Sequence, residues 1–407
     1  MRLARNQQLW ISAVLLAGGT TILANGFRLP DQDAQATARG EAFVATADNP
    51  SAVYYNPAGL TQLQGHNARV GLDCLSFTSR YESPDGHFSE TDDLITPIPQ
   101  FFYSFTPEKL PLAFGLGVYA PFGVKVEWPE DTGFRSISLK SDLSCMTVNP
   151  VVAWRVVPTL TVAAGPTFNF SNLDLQQGIT PYPGNDLLRL QGDGFAAGFN
   201  AGILWQANPM WSFGATYRSP FDVEYTGDTE MSFVVPPAGY PPKLKMDNEA
   251  TVPFPQSVAV GLSFRPTPKW NMEFNADWTS WTRLDTVYVH QAIPTQLVLN
   301  WENSWYYEFG LTRDIGKGWH LSGGYIYNQN SVPGKTFNPF VPDQDRQFVS
   351  AGVGFRGNHF GFDLAYQYGF AGTRNVNGST LSAAGQTADG NYDYKSHAFA
   401  LSIAWYF

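Results

Sequence analysis

The 407-residue sequence predicts an all-β fold: a fourteen-stranded antiparallel transmembrane β-barrel with an N-terminal plug, residues 27–65, inside it. Three observations predict it. The chain ends with Phe399, Leu401, Ile403, Trp405 and Phe407 on one parity and Ala400, Ser402, Ala404 and Tyr406 on the other. A period of two is a strand with two unlike faces. So greasy an edge invites aggregation unless a closed barrel removes the edge and lipid covers the face. Next, Trp270, Met272, Phe274, Ala276 and Trp278 oppose Asn271, Glu273, Asn275, Asp277 and Thr279. The second face is polar throughout, so no dry sandwich core lies behind it. Third, links between strands alternate short and long, like the periplasmic turns and outer loops of transmembrane barrels.

The elements follow in chain order. Arg2 and Arg5 precede an uncharged stretch, residues 6–27, with its apolar part in Leu9–Leu16 and Ile22–Leu23. Ala24 and Gly26 suit the −3 and −1 positions of a cut before Phe27, so residues 1–26 read as a secretory signal peptide. Gly18, Gly19, Thr20 and Thr21 weaken the rival reading as a membrane anchor. Residues 27–65 lack strand periodicity and are rich in alanine, with Phe43, Tyr54, Tyr55 and Leu60 as anchors. Fourteen strands enclose more width than wall side chains fill, so this segment belongs in or across the lumen rather than in a flexible tail.

The barrel occupies residues 66–407. Its strands are expected near 66–80, 97–106, 110–120, 138–156, 159–172, 192–206, 209–221, 253–265, 269–285, 299–313, 318–329, 346–356, 359–371 and 394–407. In each, the large apolar parity faces lipid and the polar or small parity faces the lumen; Trp301, Trp305, Tyr307 and Phe309 are assigned to lipid in this way. The long connections fall near 81–96, 121–137, 173–191, 222–252, 286–298, 330–345 and 372–393.

Composition narrows the function classes. Aromatic residues make up 15% of the chain, and the formal charge of −10 becomes −12 once Arg2 and Arg5 leave with the signal. An acidic chain argues against a nucleic-acid partner. Cys74 and Cys145 read as isolated small side chains. The six histidines show no metal-ligand spacing, and the glycine pairs in strands precede no helix that could hold phosphate. No metal, cofactor or enzymatic activity is expected. Outer-membrane lipid is the expected partner of the wall, and the protein is expected to be a monomer.

Two stretches carry a resemblance. One is Gly26-Phe27-Arg28-Leu29, leading to Arg39-Gly40-Glu41-Ala42. The other is Asp48-Asn49-Pro50-Ser51-Ala52-Val53-Tyr54-Tyr55-Asn56-Pro57-Ala58-Gly59-Leu60. With the strand-rich body behind them, the chain resembles the outer-membrane long-chain fatty acid and aromatic hydrocarbon transporter family. The resemblance implies a fourteen-stranded barrel closed by an N-terminal hatch, with Asn56, Pro57 and Ala58 as the hatch signature. It also implies passive uptake of hydrophobic compounds, with lateral release beside an inward kink in the third strand. Gly115, Gly117 and Pro121 would permit that kink.

The cargo has two readings. Tyr119, Phe122, Trp128 and Phe134 gather around the second long connection, and Phe233 and Tyr240 lie in a proline-stiffened outer loop. These are candidate hydrophobic contacts. A fatty acid also needs a cation or donors for its carboxylate, and Arg135, Lys140, Arg189 and Arg218 are the candidates. Long-chain fatty acids are slightly favoured, with toluene-like monoaromatics as the alternative. A general diffusion porin and a structural or adhesive barrel are the remaining rivals.

Overall fold

The computed structural model describes residues 26–184, 186–292 and 294–407. The signal-peptide reading therefore lies outside the described residues except at Gly26. Fourteen strands form the closed wall. In chain order they are β1 Gly65–Glu82, β2 Thr96–Thr106, β3 Leu112–Glu127, β4 Lys140–Val157, β5 Leu160–Gly178, β6 Leu187–Gln206 and β7 Trp211–Arg218. Then come β8 Ser257–Thr267, β9 Trp270–Thr279, β10 Ser304–Gly316, β11 Trp319–Asn328, β12 Arg346–Arg356, β13 Phe360–Ala371 and β14 Gly390–Tyr406. Each pairs antiparallel with the next, and β14 returns to β1 through sixteen residue pairs, from Asn67↔Tyr406 to Glu82↔Asn391.

Side-chain parity sorts the wall as a lipid-immersed barrel requires. On β14, Phe399, Leu401 and Trp405 are 61%, 41% and 38% exposed, while Ser402 and Ala404 are fully buried. On β9, Phe274 faces outward and Glu273, Asn275 and Asp277 are buried against the interior. Among the described residues no helix is long and apolar enough to cross a membrane; the strands do so.

Two expectations need correction. The connection 222–252 is mostly not a loop. Residues Phe221–Ser232 and Lys243–Phe254 form a hairpin that carries β7 and β8 beyond the belt, turning only at 233–242. Pro220 and Pro255 interrupt the two ladders, since proline cannot donate to them. Thr286–His290 and Thr295–Val298 make a second outer hairpin. Trp301, assigned to lipid by parity, instead lies before the start of β10 and is buried beside Trp281, with ring centroids 5.1 Å apart. The backbone before Ser304 has left the ladder, so the alternation no longer fixes a face.

The plug fills the lumen. It contains α1, Ala34–Ala38; α2, Ala52–Tyr55; and a 3₁₀ turn, Pro57–Gln62. Asp33 caps α1 by accepting from Gln35 N at 3.1 Å. Small residues on both sides allow close docking. Ala34, Ala36, Ala38, Ala42, Ala45 and Ala47 are all buried. Wall glycines receive them: a Cβ on Gly324 would collide with the Gly40 backbone, and one on Gly214 with the Val44 carbonyl.

Candidate functional site

Residues 26–32 form a strap across the lumen, and β3 bends to meet it. The β2–β3 ladder runs from Phe105↔Phe114 to Phe101↔Val118 and stops there. Beyond it, Thr96–Gln100 keep only their partners on β1. The β3–β4 register shifts between Tyr119 and Phe122, the bulge that contains Pro121. The freed edge of β3 pairs with the strap instead. Leu29 N donates to Pro121 O at 2.8 Å, and Gly123 N donates to Phe27 O at 2.8 Å. Gln32 adds a side-chain bond to Ala120 O at 2.8 Å. An interruption in the wall thus faces lipid on one side and the strap on the other.

Pro121 sits in the bend. Gly115 and Gly117 do not; they lie in the regular ladder opposite Ser104 and Phe102. Their missing side chains make room for Val53 and Leu60 of the plug.

Above the strap is an apolar cavity of about 240 Å³. Val124, Leu143, Leu173, Leu190 and Val252 form its walls, and Val287 and Leu297 of the second outer hairpin close one side. Phe340 and Val341 fold in from residues 329–345. Phe27 and Trp301 also line it; Phe27 makes edge contacts to Trp281 at 4.8 Å and Phe254 at 5.3 Å. Among its described lining residues the polar ones are Ser141, Gln177, Thr295, Gln296 and Asn338, and none is charged. Such a space favours a solute without ionised groups.

The proposed aromatic contacts divide among four places. Phe122 stacks edge-on against Phe27 at 6.0 Å and Phe254 at 5.1 Å, next to the cavity. Tyr119 lies lower, against Tyr54 at 5.1 Å, and donates to Asn149 Oδ1 at 3.1 Å. Trp128 and Phe134 make their ring contacts with each other, Tyr81 and Tyr392 instead, and Trp128 Nε1 bonds Pro339 O at 3.1 Å. Phe233 and Tyr240 meet at the tip of the outer hairpin, 6.5 Å apart.

The four cations are not gathered either. Arg135 is fully buried and held by Glu130 and the carbonyls of Thr180 and Gly184, at 2.7, 2.7 and 2.9 Å. Lys140 and Arg189 both pair with Asp174, at 3.5 and 2.8 Å. Arg218 points inward, bonds Tyr54 O and lies 4.1 Å over the Tyr54 ring. Arg218 alone of the four borders the small space beneath the strap, with Arg28, Tyr119 and Phe122.

The sequence reading missed Leu173, Leu175, Leu188 and Leu190, placing them in loops. Their signal was present with its phase reversed: both pairs extend the period of two past the expected strand ends, but with the leucines on the parity that faces the lumen.

The plug is held by buried ion pairs and by Asn56. Arg28 makes a bidentate contact to Asp277, at 2.6 and 2.8 Å. Arg69 on β1 joins Asp33 at 3.0 Å to Asp363 at 2.8 Å. Asn56, fully buried, donates to Val44 O at 2.8 Å and to Ile203 O of β6 at 3.0 Å, and accepts from Ala58 N at 3.2 Å. Pro57 starts the 3₁₀ turn, where its missing N–H costs nothing. Asn56→Leu removes three bonds and leaves two buried carbonyls short of a donor. A loss of about 3 kcal/mol in the stability of the seated plug is expected, at roughly 1 kcal/mol per bond, and the bond to Ile203 O is the one that crosses to the wall. Hydrogen exchange of residues 44–62 should speed up while that of the strands stays fixed; unchanged exchange there would refute the role given to Asn56.

Comparison with known proteins agrees with this architecture. Residues 15–407 match the family described as "Outer membrane protein transport protein (OMPP1/FadL/TodX)". The long-chain fatty acid transport protein of Escherichia coli is 22% identical over 368 residues, covering 80% of this chain and 78% of that one. A solved FadL homologue of Pseudomonas aeruginosa superposes with a TM-score of 0.82 at 18% identity, covering 93% and 99% of the two chains. The toluene transporter TodX of Pseudomonas putida gives 0.75 at 16%, again covering 93% and 99%. At these identities the two structures speak for the fold alone. The family match, over nearly the whole chain, makes this protein a member of the OMPP1/FadL/TodX outer-membrane transport family: a plugged channel for hydrophobic compounds and not an enzyme.

Proposed function

We propose that the cargo is a small neutral hydrophobic molecule of the monoaromatic type, taken into the apolar cavity and released sideways through the β2–β3 interruption. The observation that carries this reading is the cavity lining, which has apolar walls, a few amides and hydroxyls, and no described cation. A fatty acid would leave its carboxylate there without a charged partner, which is costly in an apolar space. The relatives include both a long-chain fatty acid transport protein and toluene transporters, so the site itself has to discriminate. The lateral step rests on Thr96–Gln100, whose backbone lacks a β3 partner, and on the strap that covers the inner side of the bend.

One observation favours the second reading, long-chain fatty acids. Arg218 borders the space beneath the strap, and its Nε is buried without a hydrogen bond. A carboxylate reaching past Phe122 would find a donor there.

Uptake of labelled toluene and labelled oleate separates the two. Cells expressing the protein should gain toluene uptake over cells lacking it. Arg135→Gln, Lys140→Gln, Arg189→Gln and Arg218→Gln, tested singly, should leave toluene uptake within about twofold, as expected for charges outside a neutral cargo's path. Loss of oleate uptake alone in Arg218→Gln, by roughly tenfold, would favour the fatty acid reading.

A further inference from the structure

We infer that the plug contains a proton-binding site in which Asp31 and Glu41 share one proton, and that this proton locks the strap in place. The inference goes beyond the cargo proposal and does not depend on which cargo is correct.

The geometry favours a shared proton. Asp31 and Glu41 are each 2% exposed, and the Tyr55 hydroxyl that bonds Glu41 Oε2 also meets the backbone on both sides of Asp31, at Pro30 O and Gln32 N. Two carboxylates are both acceptors, so a bond between them exists only if one group carries a hydrogen. The remaining donors are already assigned. Gln367 Nε2 donates to Asp31 Oδ1 at 3.2 Å, and the Tyr55 hydroxyl donates to Glu41 Oε2 at 2.6 Å. Asp31 Oδ2 and Glu41 Oε1 are buried and have no N–H or hydroxyl donor. A proton between the carboxyls satisfies both.

The surroundings keep it there. Burial raises both groups above the ordinary carboxyl range, Glu41 well above it, where the charge of Asp31 adds to the effect. Glu41 also borders a water-sized space of about 20 Å³ shared with Arg28, Arg218, Tyr54, Asp277 and Glu308. Asn275 of β9 donates to the Glu41 carbonyl at 3.3 Å. Around Asp31 the charged or titratable neighbours are Asp73 of β1, Tyr306 of β10 and Tyr394 of β14. The wall presents acids on both sides, Asp73 and Glu308, while Arg218, the wall cation on the shared space, is bonded to Tyr54 O rather than to the pair.

The pair is wired to the strap. Asp31 follows Pro30 directly, and Gln32 N donates to the Tyr55 hydroxyl at 3.1 Å, the same hydroxyl that serves Glu41. Raised carboxyl pKa values mean that the seated plug holds more protons than the unseated one. The stabilisation is complete at low pH and is lost as pH rises through the raised values. Deprotonation leaves two adjacent buried carboxylates, whose repulsion acts on the residues that pair with β3.

Hydrogen exchange of the purified full-length mature protein tests this at about pH 6 and about pH 9, corrected for the intrinsic rate. Residues 27–43 should exchange roughly tenfold faster at the higher pH, with the strands unchanged. Glu41→Gln keeps the acceptor for Tyr55 and gives Asp31 a permanent donor, so it should abolish the pH dependence. Asp31→Asn should do the same from the other side. Loss of the dependence in either inserted variant supports the shared proton. A wild-type plug whose exchange ignores pH overturns it, as does full dependence retained in both variants.

Discussion

Arg69→Met is expected to unseat the plug from the seam of the barrel, the largest effect on stability of any single change considered. Arg69 is 1% exposed and bridges a plug carboxylate, Asp33, to a wall carboxylate, Asp363. Asp363 also bonds His320 Nε2 at 2.8 Å, while Asp33 caps α1 and accepts from Asn49 Nδ2 at 3.1 Å. Methionine fills much of the volume but strands two buried carboxylates. Breaking one side of a buried ion pair costs about 3–5 kcal/mol. The variant should still insert, because Arg69 is one position in a ladder of sixteen pairs between β1 and β14. Its conductance in a planar bilayer should rise sharply over the wild type. Adding Asp33→Asn should recover part of the block by removing one of the stranded charges. Wild-type conductance in an inserted Arg69→Met barrel would show that the network does not hold the plug.

Ala250→Trp is expected to produce the largest loss of transport. Ala250 is 6% exposed and lines the apolar cavity from the outer hairpin. An indole there occupies much of a space of about 240 Å³ without introducing charge. Uptake of the neutral cargo should fall by roughly tenfold or more, since an overpacked site must displace its neighbours or its ligand. The change lies beyond the lipid belt, so the melting behaviour of the barrel should be preserved. Wild-type uptake in a folded Ala250→Trp protein would place the route elsewhere.

These two sites differ in how far the sequence reveals them. The wall is legible because lipid on one side and a polar interior on the other impose a strict period of two. The faces of β9 and β14 can be read directly from Trp270–Thr279 and Phe399–Phe407. The plug is legible as a segment that breaks that period and is too rich in buried-type residues to be a tail. Its fastening is not legible, because Arg69, Asp33 and Asp363 are far apart in the chain and carry no common spacing. The cavity fails for another reason. Beyond the belt, at Leu173, Leu190 and Val252, the inward face becomes apolar, so the rule that inward means polar no longer applies. Trp301 shows the same limit at the end of a strand, where the backbone leaves the ladder and parity loses its meaning.

The seam between β1 and β14 has a consequence for assembly. Asp33 of the plug touches both edges of that seam, through Arg69 on β1 and the Ser402 hydroxyl on β14 at 3.3 Å. Ala34 N adds a bond to Ser402 Oγ at 3.0 Å. The first and last strands to be synthesised are thus joined across a template that emerges before either of them. Closing a ring between distant parts of a chain is slow, because chain entropy opposes it until the contacts form. A plug already lying along β1 presents β14 with half of its binding site in place. The plug is then expected to speed closure of the seam. A barrel expressed without residues 27–64 should close its seam more slowly than the intact chain, even where the finished walls are the same.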